Sequence, residues 1–130
     1  MTIRKKIPAG TDLAETFPYS RAVRIDNVIA VSGTGAYDRQ GNLVGRDNPY
    51  QQASYIYSIL QHTLGEAGAS LEDVVKLTIF TTDISAWPDI AKAHRTYFTD
   101  IEPAVTVIEV QALLADEMLV EIEATAVVPN

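Results

Sequence analysis

The apolar positions of this chain change period several times, and each change marks an element. Ile3 and Ile7 anchor a first strand over residues 1–7. Residues 8–20 contain Pro8, Gly10 and Pro18 and read as a loop. From Arg21 to Asp26 the chain alternates, with Val23 and Ile25 on one face and Arg24 and Asp26 on the other. Asp26-Asn27 is a turn signal, and the run Val28-Ile29-Ala30-Val31-Ser32-Gly33 completes a hairpin. Gly33, Gly35, Asp38, Gly41 and Asn42 punctuate the next turn.

The period then becomes helical. Ala53, Ile56, Leu60, Leu64 and Ala67 form an apolar stripe, with Asp47 or Asn48 as cap, Pro49 in the first turn, and Gly65 and Gly68 at the end. A second helix begins after Ser85, tolerates Pro88 in its first turn, and carries Trp87, Ile90, Ala91, His94 and Phe98 on one face. Between the helices, Val74 to Ile84 is a strand in which Val75, Leu77 and Ile79 alternate. Two more strands follow, Ala104 to Val110 and Leu119 to Val128.

The order β-β-β-α-β-α-β-β predicts an α+β fold. Two strand–helix–strand connections are long enough to be crossovers, so part of the sheet should be parallel. Two helices cover one face of such a sheet. The segments Val28–Gly33 and Ala104–Val110 are mostly apolar on both faces, and Phe80 lies opposite Val75, Leu77 and Ile79. The expectation is therefore a largely apolar second face, covered by further copies of the chain, the alternative being a sheet curled tightly over its own core.

At 130 residues the chain reads as a single domain over 1–130, by a prior of roughly 100–200 residues per domain. Hydrophobic residues make up 47%, enough for a packed core. No apolar run approaches the roughly 18 residues that would span a bilayer. Met1-Thr2-Ile3-Arg4-Lys5-Lys6 has charge but no apolar stretch behind it, so no membrane association and a cytoplasmic location are expected. A net charge of −7 disfavours nucleic acid as a partner. The absence of cysteine excludes thiolate chemistry, and two histidines, His62 and His94, supply little toward a metal site.

The segment Val120-Glu121-Ile122-Glu123-Ala124-Thr125-Ala126 alternates strictly. It puts Glu121 and Glu123 on one face, about 7 Å apart by strand rise. A carboxylate in a cleft can act as general base or orient water; on an open face it is simply solvated. Ser32-Gly33-Thr34-Gly35 could present hydroxyls and backbone N–H groups to an anion, or be only a turn. His94 lies on an apolar stripe and reads as a packed core histidine, His62 as a surface one.

These segments carry a resemblance. Glu102-Pro103-Ala104-Val105-Thr106-Val107-Ile108-Glu109-Val110 with Val120–Val127, Pro18-Tyr19, Val31-Ser32-Gly33 and the stretch Gly65 to Val75 together resemble the RidA (YjgF, reactive-intermediate deaminase) family over nearly the whole chain. The resemblance implies a chorismate-mutase-like fold and a homotrimer with small-molecule clefts between subunits. It implies hydrolysis of small enamines or imines to keto acids and ammonia, with no metal and no cofactor. It also makes Glu121 the catalytic residue that positions water, with Tyr19, Ser32, Gly33, Val105 and Val107 lining the cleft. Position 105 departs from the family pattern. Members of the best-known type carry there an arginine that binds the substrate carboxylate, and valine offers neither charge nor donor. The family's asparagine on the second helix is also replaced, near Ala91. The substrate is then neutral or held by another cation, with Arg21, Arg46 and Arg95 as candidates. A trimer that binds a small metabolite without turning it over is the alternative reading, and endoribonuclease action is the weakest.

Overall fold

The computed structural model describes residues 3–130, so the first two positions of the expected first strand lie outside it. Six strands form one sheet: β1 (Arg4–Pro8), β2 (Ser20–Ile25), β3 (Val28–Thr34), β4 (Val74–Thr81), β5 (Ala104–Glu109) and β6 (Val120–Val127). Helices α1 (Pro49–Glu66) and α2 (Trp87–Phe98) complete the expected order. The sheet order is β1-β2-β3-β6-β4-β5. Only β4 and β5 pair in parallel, across the crossover through α2. The crossover through α1 joins β3 to β4, which run the same way but are separated by β6, antiparallel to both. The fold is thus α+β, with a mixed sheet and two helices on one face.

Local chemistry explains the elements. Asp26 takes a left-handed φ of 53° in the β2–β3 turn, a conformation aspartate tolerates. Asn48 caps α1, its side chain accepting from the Gln51 amide, and Pro49 occupies the first turn. Beyond α1, Gly68 turns the chain at φ 84°. The loop over 8–20 contains a short 3-10 turn, Asp12–Glu15.

The core lies between the helices and one sheet face. From α1 it takes Ala53, Ile56, Tyr57, Leu60 and Leu64; from α2 it takes Ile90, Ala93 and Phe98. From the sheet come Ile29, Val31, Leu77, Ile79, Val120, Ile122, Ala124 and Ala126. Deleting the Phe98 ring would cost about 3–5 kcal/mol through lost burial and the cavity left behind. His94 is packed as expected: its Nδ1 lies 2.9 Å from the Tyr57 hydroxyl, and its ring stacks on Phe98.

Three expectations change. Val75 does not join the core, because a register shift between Val74 and Lys76 turns it outward, 46% exposed, and seats Val74 inside. Trp87 opens α2 at the rim of the helical layer and stays 47% exposed. The second sheet face is mixed rather than apolar throughout. Phe80, Ala104, Ile108, Val23, Ile25, Val28, Ala30 and Val127 lie there, but so do Glu121, Glu123, Thr125, Lys76 and Thr78. From Lys76 onward β4 alternates as β6 does, and that alternation sends most of their polar side chains outward.

Candidate functional site

Glu121 stands near the start of β6, half-buried on the outer sheet face. Its direct neighbour across β4 is Phe80, and Phe80 in turn pairs with Ile108 of β5. Registered neighbours share a face, so the carboxylate sits in one row with two apolar side chains. Burial pushes the Glu121 carboxyl above its ordinary range, the nearby Glu123 charge pushes the same way, and Arg21 pulls it back.

On the other side of Glu121 the β3 strand bulges. Val31 pairs with Ala124 and Thr34 with Ile122, so Ser32 and Gly33 together oppose Glu123 alone. The extra residue brings Gly33 beneath the Glu121 carboxylate. A Cβ at Gly33 would stand 3.0 Å from the carboxyl carbon and overlap one of its oxygens. Glycine is required here by close approach, since nothing larger leaves Glu121 its place. The Ser32 hydroxyl donates to the Ser20 carbonyl at 2.6 Å and so helps hold β2 to the bulge.

The structure brings Glu121, Gly33 and Ser32 together, and leaves others apart. Tyr19, just before β2, is half-buried; its hydroxyl bonds that of Thr11 and its ring lies against Phe17. Val105 and Val107 pair with Leu77 and Ile79, which are buried beneath the helices. Both valines therefore belong to the helix-covered face of the sheet and not to the face that bears Glu121. Position 105 reaches Glu121 only if a second copy of the chain brings it there. Val105 is 37% exposed, on an edge strand with no fully buried residue.

Of the three candidate cations, Arg46 is paired with Glu117 at 3.0 Å, and Glu117 also accepts from Tyr37 at 2.9 Å. Burial, together with that hydrogen bond, pushes the Tyr37 hydroxyl up to about 12. Arg95 is exposed in the last turn of α2, on the helical side. Arg21 in β2 is half-buried, and its charge acts on the Glu121 carboxyl. Its Nη1 donates to Thr34 Oγ1 at 3.4 Å and its Nη2 to the Ala9 carbonyl at 3.2 Å.

A buried polar residue that periodicity did not reveal supports this end of the sheet. Gln52 of α1 donates from Nε2 to the carbonyls of Gly45 and Glu117, both at 3.1 Å. Its Oε1 accepts from the Leu119 amide at 2.9 Å. The chain is thus fixed just before β6 carries it to Glu121. Two surface grooves lie elsewhere. One of about 430 Å³ lies between Lys5, Arg24 and Gly68, beyond the end of α1, and another of about 160 Å³ follows the 111–118 loop. In the first, Lys5 and Arg24 are already bonded to the carbonyls of Glu66 and Ala67.

Comparison with known proteins agrees with this architecture. The family profile described as Endoribonuclease L-PSP matches residues 10–128. A RutC family protein of Pyrococcus abyssi is 33% identical over 84% of this chain and 85% of its own. The 3-aminoacrylate deaminase RutC of Acinetobacter baylyi is 31% identical over 92% of this chain and 94% of its own. The crystal structure of a YjgF/YER057c/UK114 family member from Mycobacterium tuberculosis superimposes with a TM-score of 0.88 at 36% identity, covering 97% of this chain and 100% of that one.

Proposed function

The chain belongs to the YjgF/RidA family, whose profile bears the description Endoribonuclease L-PSP, and on that premise we propose that it hydrolyses small enamines or imines in clefts between copies of itself. The observation that carries the reading is Glu121: a half-buried carboxylate of raised proton affinity, over a glycine that leaves it room, on a sheet face beside apolar side chains. A carboxylate of this kind is a better general base when ionised than a solvated one. The relative named 3-aminoacrylate deaminase supports the substrate class.

The chemistry needs only water. The enamine tautomerises to an imine, its terminal carbon gaining a proton as its nitrogen loses one. Glu121 removes a proton from water as its oxygen bonds to the imine carbon. Glu121 passes that proton to the nitrogen, and the tetrahedral adduct collapses: the hydroxyl proton also moves to nitrogen as the carbonyl forms, and the C–N bond breaks with its electron pair leaving on ammonia. The sum is enamine plus water giving keto compound plus ammonia.

The cleft requires neighbours, and a homotrimer is the assembly proposed. Val28 and Ile108 on the outer face are 46% and 40% exposed in one copy, and β5 is an unprotected edge. Ser32, Gly33 and Tyr19 belong to one wall; Val105 and Val107 come from a neighbouring copy. The acidic charge and the carboxylates at 121 and 123 disfavour RNA as the substrate. Among the described residues no helix is long and apolar enough to cross a membrane.

Ammonia release from 2-aminoacrylate by purified protein tests the reading. Turnover should fall at least about 100-fold in Glu121→Gln, with the oligomer unchanged by sedimentation. Undiminished turnover in that variant removes Glu121 from the mechanism. A stable single copy at micromolar concentration removes the cleft.

A further inference from the structure

Resting on the hydrolase reading, we propose that Arg21 anchors the ligand's carboxylate, so that the space between Arg21 and Glu121 selects small unsaturated amines bearing a carboxylate group. Val105 cannot supply this anchor, and the structure places a different cation beside the reacting end.

The placement follows from strand order. β2, β3 and β6 are adjacent. Val23 pairs with Ala30, and Ala30 with Thr125, which lies on the Glu121 face of β6. Arg21 lies where the β1–β2 register shifts, and its guanidinium reaches Thr34, the residue that follows Gly33. Glu121 leans the other way, across β3, with its carboxylate resting over Gly33. No side chain rises from Gly33, and the Ser32 hydroxyl is turned to the Ser20 carbonyl. A cation and a carboxylate thus stand on either side of a bare stretch of backbone.

The Arg21 guanidinium has capacity to spare. Its two contacts, to Thr34 and Ala9, are with neutral oxygens and use one hydrogen on each terminal nitrogen. The Thr34 contact is long, and the Thr34 hydroxyl sends its own proton to the Ser32 carbonyl at 2.9 Å. Among the described residues no carboxylate lies within ion-pair distance of Arg21, although the chain has 17 acidic residues against 10 basic ones. Arg24 also bonds only carbonyls, but it caps the end of α1, where a cation belongs. Arg21 meets no helix end. A half-buried guanidinium fork that lacks an anion is suited to receive a carboxylate in two parallel hydrogen bonds.

The pairing also resolves a charge problem. A ligand carboxylate placed beside Glu121 would face a second negative charge. Bound to Arg21, it is neutralised and held at the far side of Gly33, with the imine carbon turned toward Glu121. Arg21 already draws the Glu121 carboxyl downward. Engaging Arg21 with an anion weakens that pull and leaves Glu121 more basic when substrate is present.

The test compares binding of 2-oxobutyrate with that of its methyl ester, by calorimetry, to the wild-type chain, Arg21→Gln and Arg21→Lys. The expected result is that the wild type prefers the acid to the ester. Arg21→Gln should lose about 10- to 100-fold in acid affinity, the worth of a charge-assisted pair, with ester binding unchanged. Arg21→Lys should keep part of the preference, since it keeps the charge without the fork, and its melting curve controls for misfolding. Equal acid affinity in wild type and Arg21→Gln overturns the proposal, and so does a wild type that binds neither compound or does not prefer the acid. Ammonia release from 2-aminoacrylate, measured in parallel, separates this proposal from the hydrolase reading. Turnover with the same KM in Arg21→Gln sinks the anchor and leaves the hydrolase standing. Acid binding through Arg21 without release of ammonia does the reverse.

Discussion

The Tyr57 hydroxyl and His94 Nδ1 meet at 2.9 Å between the two helices, the one polar link in a cluster otherwise made by Tyr97, Phe98 and the Tyr57 ring. Burial raises the Tyr57 hydroxyl far above physiological pH, so it donates, and the imidazole accepts as the neutral base. Burial also lowers the His94 pKa. The unfolded chain therefore takes up a proton first as pH falls. Stability should decline from about pH 6.5 downward and level off below the folded pKa of His94. Thermal unfolding at pH 7.5 and 5.0 should show a fall of a few degrees in the wild type beyond that in His94→Gln. An identical fall in both removes His94 as the cause.

Glu121 titrates with the opposite sign. Its folded pKa is raised, so the native state holds the proton more tightly, and stability falls as pH rises through the window above the unfolded value. The cost is present once the folded carboxyl has ionised. Glu121→Gln should melt about 1–3 °C higher than wild type at pH 7, the size of a solvent-screened charge effect. The gain should vanish near pH 3.5. A variant that gains nothing at pH 7 would show that the carboxylate is better solvated than its place in the sheet suggests.

Gly33→Ala separates function from stability. The new methyl meets a flexible carboxylate end and not backbone, so displacing it should cost under about 1 kcal/mol. The displaced group is nonetheless the proposed base, and turnover should fall about 10-fold or more. In the double variant with Glu121→Gln the two losses should not add. A full additive loss would place the Gly33 effect elsewhere.

Gln52→Leu tests the buried clamp. The leucine fits the volume but leaves the Leu119 amide and two carbonyls without their partner. A loss of about 2–4 kcal/mol is expected by denaturant titration. A loss under about 1 kcal/mol would mean that the 117–119 segment finds other partners.

The elements were legible where one face is buried and the period is unbroken. Every position of the α1 stripe from Ala53 to Ala67 is in the core, and Ile122, Ala124 and Ala126 alternate with Glu121, Glu123 and Thr125 as read. Gln52 and Thr63 are equally buried, yet polar residues give no signal in an apolar pattern. Val75 was misplaced because a bulge changes which residues face inward without changing the letters. Glu121 stood out from its own strand. Its neighbours Phe80, Gly33 and Arg21 come from three other strands, and only register and strand order bring them near. The same limit explains positions 105 and 107. Their alternation was plain, but only the pairing with Leu77 and Ile79 reveals which face each valine takes.

The position of β6 between β3 and β4 bears on how the chain is made. This strand leaves the ribosome after the other five, yet it fills the middle of the sheet. Until it arrives, β3 and β4 have bare inner edges, and the nascent chain holds two unjoined half-sheets with the helices between them. Closure is a single late event with high contact order, and the residue proposed for catalysis enters with the piece that completes it.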